Sequence, residues 1–318
     1  MEVEKVREHK KPFTRFWYWI KERHKIYLKK QAAMPKPWTD DEILQNYFFT
    51  NPYRELDKTT QWLRRHVREP FADDPAIFVA TVIFRWFNRI STGHLLRYGR
   101  PINHGCSGSP WKVKKEYCYL YTWNEKDVVT VLEKARKHGP VFTGAYMIKA
   151  GNGPKGCKIA SVCKAISSVW EDREELVDLC LESSSLEKVW QRLLKFDYLG
   201  KFMAYEIVCD LRYTYLLRDA VDVLTWANPG PGAKRGLARM EGRIPISPTG
   251  RTRRFVKVDH PIEKMRGLLA RVSGKLALLD MPPFELREIE HSLCEWDKYE
   301  RALWGKGGKM KRRYDGSA

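Results

Sequence analysis

The sequence predicts a mostly helical protein with long connecting loops. Three observations support this. Apolar residues recur at spacings of three and four in the best-signalled segments, around 52–68 and 283–304. The Gly- and Pro-rich stretches gather in two segments, 99–123 and 228–262, and leave the rest free of helix breakers in quantity. No internal repeat or low-complexity block appears. With 43% hydrophobic residues and 12 tryptophans in 318 residues, the chain has ample material for a core and is not a disordered basic arm.

Residues 1–40 read as a basic, aromatic entry segment (Phe13, Phe16, Trp17, Trp19) that ends in the PKPW turn at 35–38. A single helical domain is expected over 41–304, followed by a basic tail at 305–318. Its first helices fall at about 39–48, 52–68 and 75–92. The second has the clearest start: Asn51 is an N-cap type and Pro52 suits the first helical position. Tyr53, Leu56, Thr60, Leu63 and Val67 then form its buried stripe. The segment 99–123 reads as a loop with a short strand near Tyr117 to Trp123. Helices are expected again at 125–138, 158–181 and 185–196, then a hairpin and helix over 197–216. After the Gly/Pro/Arg-rich stretch the chain closes with helices at about 260–279 and 283–304.

The charge asks for a partner. Against 58 Lys+Arg stand 39 Asp+Glu, a formal net charge of +19. The surplus is concentrated: ten cations against four acids in 1–30, and nine against two in 243–275. The tail adds Lys306, Lys309, Lys311, Arg312 and Arg313 against Asp315. Such a surplus on a folded chain points to a polyanion: DNA, RNA or an acidic membrane surface. No apolar run is long enough to span a bilayer, and the opening MEVEKVREHKKP lacks the apolar stretch of a secretory leader, so the cytoplasm is the expected compartment. Seven cysteines without a CxxC pair argue against a disulfide framework or a zinc ribbon.

Several polar residues are embedded where apolar ones would be ordinary. Arg54 and Asp57 lie one turn apart beside the stripe of the second helix, as an intrahelical pair or as part of a site. Arg85 and Asn88 interrupt the apolar run Ile77 to Ile90, and a buried arginine needs either a carboxylate such as Asp57 or a phosphate. At 186–211 a helix ending near Phe196, the turn DYLG and a helix starting at Lys201 resemble the hairpin of the helix-hairpin-helix DNA glycosylases. Gly200 and Lys201 would hold a DNA phosphate at the helix N-terminus. Tyr198 stands where the first of the usual two glycines would be. Asp219 and Asp222 follow 19 and 22 residues after Gly200. The next stretch, DVLTWANPGPGAKRGL, couples an Asp to a rigid glycine-rich turn and to Lys234 and Arg235, which suits the holding of an oxyanion. In the last helix Leu286, Ile289, Leu293, Trp296 and Leu303 form the apolar stripe. By periodicity His291, Glu295 and Lys298 belong to a solvated face.

Four blocks in order, NPYRELDKTTQW (51–62), FRWFN (84–88), the hairpin with DVLTWANPGPGAKRGL (194–237) and IEHSLCEWDKYER (289–301), resemble the alpha-glutamyl/putrescinyl thymine pyrophosphorylases, the phage amino acid:DNA transferases. The resemblance implies the helical fold of the helix-hairpin-helix DNA glycosylases, reused without cutting the glycosidic bond. It implies a phage-encoded enzyme that joins an amino acid or polyamine to the C5 methylene of phosphorylated 5-hydroxymethyluracil in DNA, expelling phosphate or pyrophosphate. The partners are then double-stranded DNA carrying 5-phosphomethyl- or 5-pyrophosphomethyl-uracil and a free amine. No cofactor is required by the sequence, and Mg2+ has no motif behind it.

The attacking amine must be neutral, so a general base is useful. Asp222 is the first choice by its place after the hairpin and Asp219 the second, with Arg54, Asp57 and Glu295 completing the catalytic candidates. Arg85, Lys234 and Arg235 are candidate clamps for the leaving phosphate or the amino acid carboxylate. Asn51, Asn88, His291 and Lys298 are further substrate-binding candidates. Trp226 or Tyr198 could stack on a flipped base, and Arg251, Arg253 and Arg254 would follow the DNA backbone. A covalent route through Cys294 would ease loss of phosphate. Two other readings share much of this: a true DNA glycosylase, and a non-enzymatic DNA-binding protein.

Overall fold

The computed structural model describes residues 11–98, 119–120, 122–146, 148, 158–243 and 256–304. In chain order the helices are α1 (Pro12–Gln31), α2 (Glu42–Asn46), a 3-10 turn (Arg54–Leu56), α3 (Lys58–Leu63) with a π-helical turn (Arg64–Arg68), α4 (Ile77–Phe87) and α5 (Ile90–Tyr98). Then come α6 (Glu125–Arg136), α7 (Lys158–Glu171), α8 (Arg173–Ser183), α9 (Leu186–Leu193) and α10 (Lys201–Leu211). The last three are α11 (Pro231–Met240), α12 (Pro261–Ala277) and α13 (Leu286–Leu303). Among the described residues there is no strand, and no helix is long and apolar enough to cross a membrane. The protein is therefore mostly α, as the periodicity predicts.

The chain divides into two compact units. One joins Met1–Asp57 to Val223–Ala318, and the other is the continuous stretch Lys58–Asp222.

In the first unit α13 is the central element, packed by α11, α12, α1 and α2. Phe16, Trp19 and Ile20 of α1 are fully buried, and Phe16 meets Trp296 edge-on at 5.4 Å between ring centroids. Arg15 is buried with them because both of its ends reach Glu300, Nε to Oε1 at 2.7 Å and Nη2 to Oε2 at 3.2 Å. Such a fork meets the cost of burying both charges. The α11–α13 contact depends on glycine. A Cβ on Gly232 would overlap Cys294 Sγ, and one on Gly236 would stand 2.5 Å from the Leu293 carbonyl oxygen. The spacing of four puts both glycines on one face, so the two backbones approach closely.

In the second unit α4 is buried along its whole length from Ile77 to Phe87 and packs against α10, which is buried from Met203 to Leu211. Arg85 is 1% exposed and forms a two-pronged ion pair with the fully buried Asp210, Nη2 to Oδ1 at 2.8 Å and Nε to the other oxygen.

Several boundaries differ from the sequence expectation. The entry segment contains a 20-residue helix, with Pro12 at its start. The helix expected over 52–68 opens as extended backbone and a 3-10 turn, and the α-helix begins only at Lys58. The helix expected over 75–92 breaks at Asn88, whose left-handed backbone (φ 43°) ends α4. The one expected over 158–181 is two helices that meet at Asp172. The Gly/Pro/Arg-rich stretch contains α11, because its glycines serve close packing rather than a turn.

Candidate functional site

The first unit brings together most of the polar residues of the sequence blocks 51–57 and 289–301. The anchor is Thr50, just ahead of the 3-10 turn. Its backbone N–H donates to Glu295 Oε2 at 2.9 Å, and its hydroxyl shares a 2.7 Å hydrogen bond with His291 Nε2. Lys298 Nζ donates to the same Glu295 oxygen at 2.7 Å and lies 4.8 Å over the Phe49 ring. The Asn51 N–H donates to Asp57 Oδ1 at 3.1 Å, closing the NPYRELD turn on itself, while Asn51 Oδ1 accepts from Tyr53 N at 2.9 Å. A helix could not make that closure, which explains the 3-10 turn.

The two carboxylates differ in proton affinity. Burial raises Asp57, against the opposing pull of His291, the Asn51 N–H, Arg54 and Arg23. Burial also pushes Glu295 up, but Lys298 and His291, with the hydrogen bonds from Lys298 and Thr50, win and hold it below the ordinary carboxylate range. Two carboxylates are thus pushed in opposite directions next to one histidine, Asp57 towards holding a proton and Glu295 towards keeping its charge.

The helix pair α11–α13 supplies the cations. Arg235 Nε donates to Asp297 Oδ2 and Arg239 Nε to Asp297 Oδ1, each at 2.8 Å. Arg301 Nε lies 3.5 Å from the same carboxylate, which is fully buried. At the N-terminus of α11 the Gly230 N–H donates to Glu290 Oε1 at 3.1 Å, so a carboxylate already occupies the glycine-rich turn. Lys234 is half-buried on the same helix.

Asn51, Arg54, Asp57, Trp226, Lys234, Arg235, His291, Glu295 and Lys298 thus all belong to the first unit. The expectation that His291, Glu295 and Lys298 line a solvated face is corrected: α13 is enclosed on nearly every side, and Glu295 and Lys298 keep only 13% and 24% of their side-chain surface. Trp226 is 7% exposed and cannot stack freely on a base. Burial pushes the Cys294 thiol well up, as do the carboxylates of Glu295, Glu290 and Asp297, and the sulfur packs against Gly232. A thiolate route through Cys294 therefore loses its chemical basis.

The second unit holds Asp219, Asp222, Arg85, Asn88, Tyr198, Gly200 and Lys201. Asp222 is a helix cap. It accepts from Ser185 Oγ at 2.8 Å, Leu186 N at 2.9 Å and Glu187 N at 3.0 Å, closing the N-terminus of α9. Its carboxylate is committed to those donors, so it is no open base. Asp219 is exposed beside Arg218 at 3.4 Å. Arg85 is a structural ion pair with Asp210, not with Asp57. Asn88 supports it, accepting from Arg85 Nη1 at 2.8 Å, and Thr60 accepts from Nη2 at 3.0 Å. The expected turn between α9 and α10 is present. Tyr198 has φ 61°, the left-handed conformation that glycine would favour, and Gly200 is the extended N-cap of α10. Tyr198, Gly200 and Lys201 are exposed. Arg251, Arg253, Arg254 and the 305–318 tail lie outside the described residues.

Thr50, Glu290, Asp297, Arg239 and Arg301 were not foreseen. The last three had a signal: Arg235 and Arg239 are four apart on one helix, and Asp297 and Arg301 four apart on another. Only the packing of the two helices shows that these pairs face each other.

A family model described as "5-hmdU DNA kinase, helical domain" matches residues 10–308. The 5-hmdU DNA kinase of Bacillus phage SP10 is 25% identical over 318 residues, covering 92% of this chain. The chain spans about half of that relative's length (46%). No solved structure matches the chain.

Proposed function

The chain belongs to the family of the 5-hmdU DNA kinase helical domain, and from that premise we propose that it is a phage DNA-modifying enzyme acting at the C5 hydroxymethyl group of uracil in DNA. In the finer reading it is the transferase of that chemistry. It joins an amine to the C5 methylene of the phosphorylated base and displaces phosphate or pyrophosphate. The observation that supports this best is the assembly of His291, Glu295 and Lys298 around Thr50, with Asp57 bonded to the next residue's N–H and within electrostatic reach of His291. The charge of +19 supports a DNA substrate.

The step balances as follows. The nitrogen lone pair attacks the methylene carbon while the C–O bond to phosphate breaks. The ammonium formed loses its proton to Asp57, whose raised pKa suits an acceptor. The phosphate leaves as an anion beside the α11–α13 arginines. Glu295 keeps its charge and, with Lys298, fixes the position of His291 through Thr50. Asp219 and Asp222 have no part in this step. Arg54 and Asn51 hold the turn that presents Asp57. Exposed Tyr198, Gly200 and Lys201 are the DNA-contacting part of the second unit.

A second reading is phosphorylation of the hydroxymethyl group itself, favoured by the name of the phage SP10 relative. No G-x4-G-K-[S/T] phosphate loop occurs in these 318 residues, which span about half the length of that relative. One experiment separates the two. The protein is given 5-phosphomethyl-uracil DNA with mixed amino acids and polyamines, or 5-hydroxymethyl-uracil DNA with ATP and Mg2+, and the nucleosides are weighed. An amine adduct in the first arm supports transfer. A phosphorylated nucleoside in the second arm alone overturns transfer in favour of the kinase. Abasic sites in either arm would indicate a glycosylase.

A further inference from the structure

Between α11 and α13 lies a charge cluster in which cations outnumber the acid that joins them. Three guanidinium groups, those of Arg235, Arg239 and Arg301, share a single carboxylate, Asp297. Asp297 is fully buried and its two oxygens are taken by Arg235 Nε and Arg239 Nε. Arg239 is 6% exposed, and its Nη2 is buried with no hydrogen-bond partner among the described residues. Arg301 Nε is likewise buried without a hydrogen bond, its nearest acid being Asp297 at 3.5 Å. Leaving a buried guanidinium donor unmade is costly, and an anion reaching Arg239 and Arg301 would complete both sets.

Other acids nearby are engaged elsewhere. Glu295 takes Lys298 and the Thr50 N–H, Glu300 takes Arg15, and Glu290 takes the Gly230 N–H. Crowding is felt at Arg301, whose affinity for its proton is lowered by burial and by the like charges of Arg235 and Arg239, against the pull of Asp297. The cluster is not sealed. Arg235 and Arg301 keep 15% and 19% of their side-chain surface, against 5% for Arg239, so it opens on the Arg235–Arg301 side. Guanidinium forks of this kind fit the oxygens of a phosphate or carboxylate.

We propose that Arg239 and Arg301, held in place by Asp297, form a recessed oxyanion-binding site that takes a phosphate or carboxylate group. The oxyanion has two possible owners: the phosphate of the modified base, or the carboxylate of an incoming amino acid. The assignment of an owner rests on the function proposed above; the binding itself does not. Asp297 is then a positioning residue: it holds Arg239 by its Nε and attracts Arg301 by charge, leaving Arg239 Nη2 and Arg301 Nε for the ligand.

The test is a thermal-shift and calorimetric titration of the full chain with inorganic phosphate, pyrophosphate, and glycine or glutamate in separate arms. The variants are Arg301→Gln and Arg301→Lys, with Lys164→Gln, at an exposed position of α7, as the control. Arg301 is chosen because its partial exposure makes misfolding less of a risk than at Arg239, and circular dichroism checks the fold of each variant. Expected is an anion-dependent rise in melting temperature in the wild type and the control. In Arg301→Gln the affinity falls about tenfold or more, with partial recovery in Arg301→Lys. Response to phosphate but not amino acid assigns the leaving group as owner, and the converse assigns the carboxylate. If no oxyanion stabilises the wild type, or if Arg301→Gln responds as the wild type does, the site is overturned and the cluster is only a cross-link between helices. Failure of the DNA-modification assay with intact phosphate binding would overturn the proposed function and leave this site standing.

Discussion

Replacing Asp222 by alanine separates a structural carboxylate from a catalytic one. The side chain accepts three hydrogen bonds at the start of α9, from Ser185 Oγ, Leu186 N and Glu187 N. The two N–H groups are first-turn donors that no helical carbonyl can satisfy. Loss of such a cap costs about 1–2 kcal/mol. The negative charge at the helix N-terminus adds about 0.5 kcal/mol, and the Ser185 bond roughly 1 kcal/mol. Water reaching the half-buried site returns part of this, and Ser185 still caps Lys188 N at 3.3 Å. The expected net is a loss of about 2–3 kcal/mol, a fall of roughly 5–10 °C in the melting temperature of the Lys58–Asp222 unit. The assay is thermal unfolding followed by circular dichroism, paired with DNA modification measured well below the transition. Activity there should stay within about threefold of wild type. A variant that melts within about 1 °C of wild type and loses activity by two orders of magnitude would refute the reasoning and restore Asp222 as a base.

Three further outcomes follow from the same geometry. Gly232→Ala places a Cβ on Cys294 Sγ and should cost about 1–3 kcal/mol by chemical denaturation; adding Cys294→Ala should recover most of it, and an equally unstable double variant would contradict the close-packing argument. Burial raises the pKa of Asp57, so the folded state holds that proton more tightly than the unfolded chain does. Its stabilising effect is therefore full below the ordinary carboxylate value and is lost as pH rises through the raised one. Asp57→Asn should gain stability relative to wild type as pH rises from the ordinary carboxylate value through the raised one while losing activity, and a pH-independent difference would argue against it. Lys201→Gln at the start of α10 should lower the salt dependence of DNA binding by about one unit of log–log slope; an unchanged slope would remove the hairpin from the interface.

Much of the fold was legible because burial imposes period. The stripe of α13, from Leu286 to Leu303, and the apolar run of α4 are buried as their patterns require. The same reasoning failed where polar residues are buried by pairing. Periodicity assigns His291, Glu295 and Lys298 to solvent, because it scores each residue without the Thr50 backbone that receives them. Arg85 was seen as needing a partner, but its partner, Asp210, lies 125 positions along the chain on another helix. The aromatic and basic mixture of 11–31 hid a helix whose arginine and histidine are buried beside its tryptophan. The glycines of GPGAKRGL read as a turn in one dimension and serve as a helix contact in three. The segments 50–57 and 289–301 do meet, whereas distance from the hairpin, which points to Asp222, cannot tell a base from a cap.

The proposed reaction takes place at the C5 methylene of uracil in DNA, with Asp57 as proton acceptor. Its most direct test is mass spectrometry of nucleosides from 5-phosphomethyl-uracil DNA after incubation with the protein and a mixture of amines. Expected are an amine-bearing thymidine derivative and released phosphate with the wild type and with Asp222→Ala, and neither with Asp57→Asn. Unchanged nucleosides with every amine, or an adduct that persists in Asp57→Asn, would contradict it.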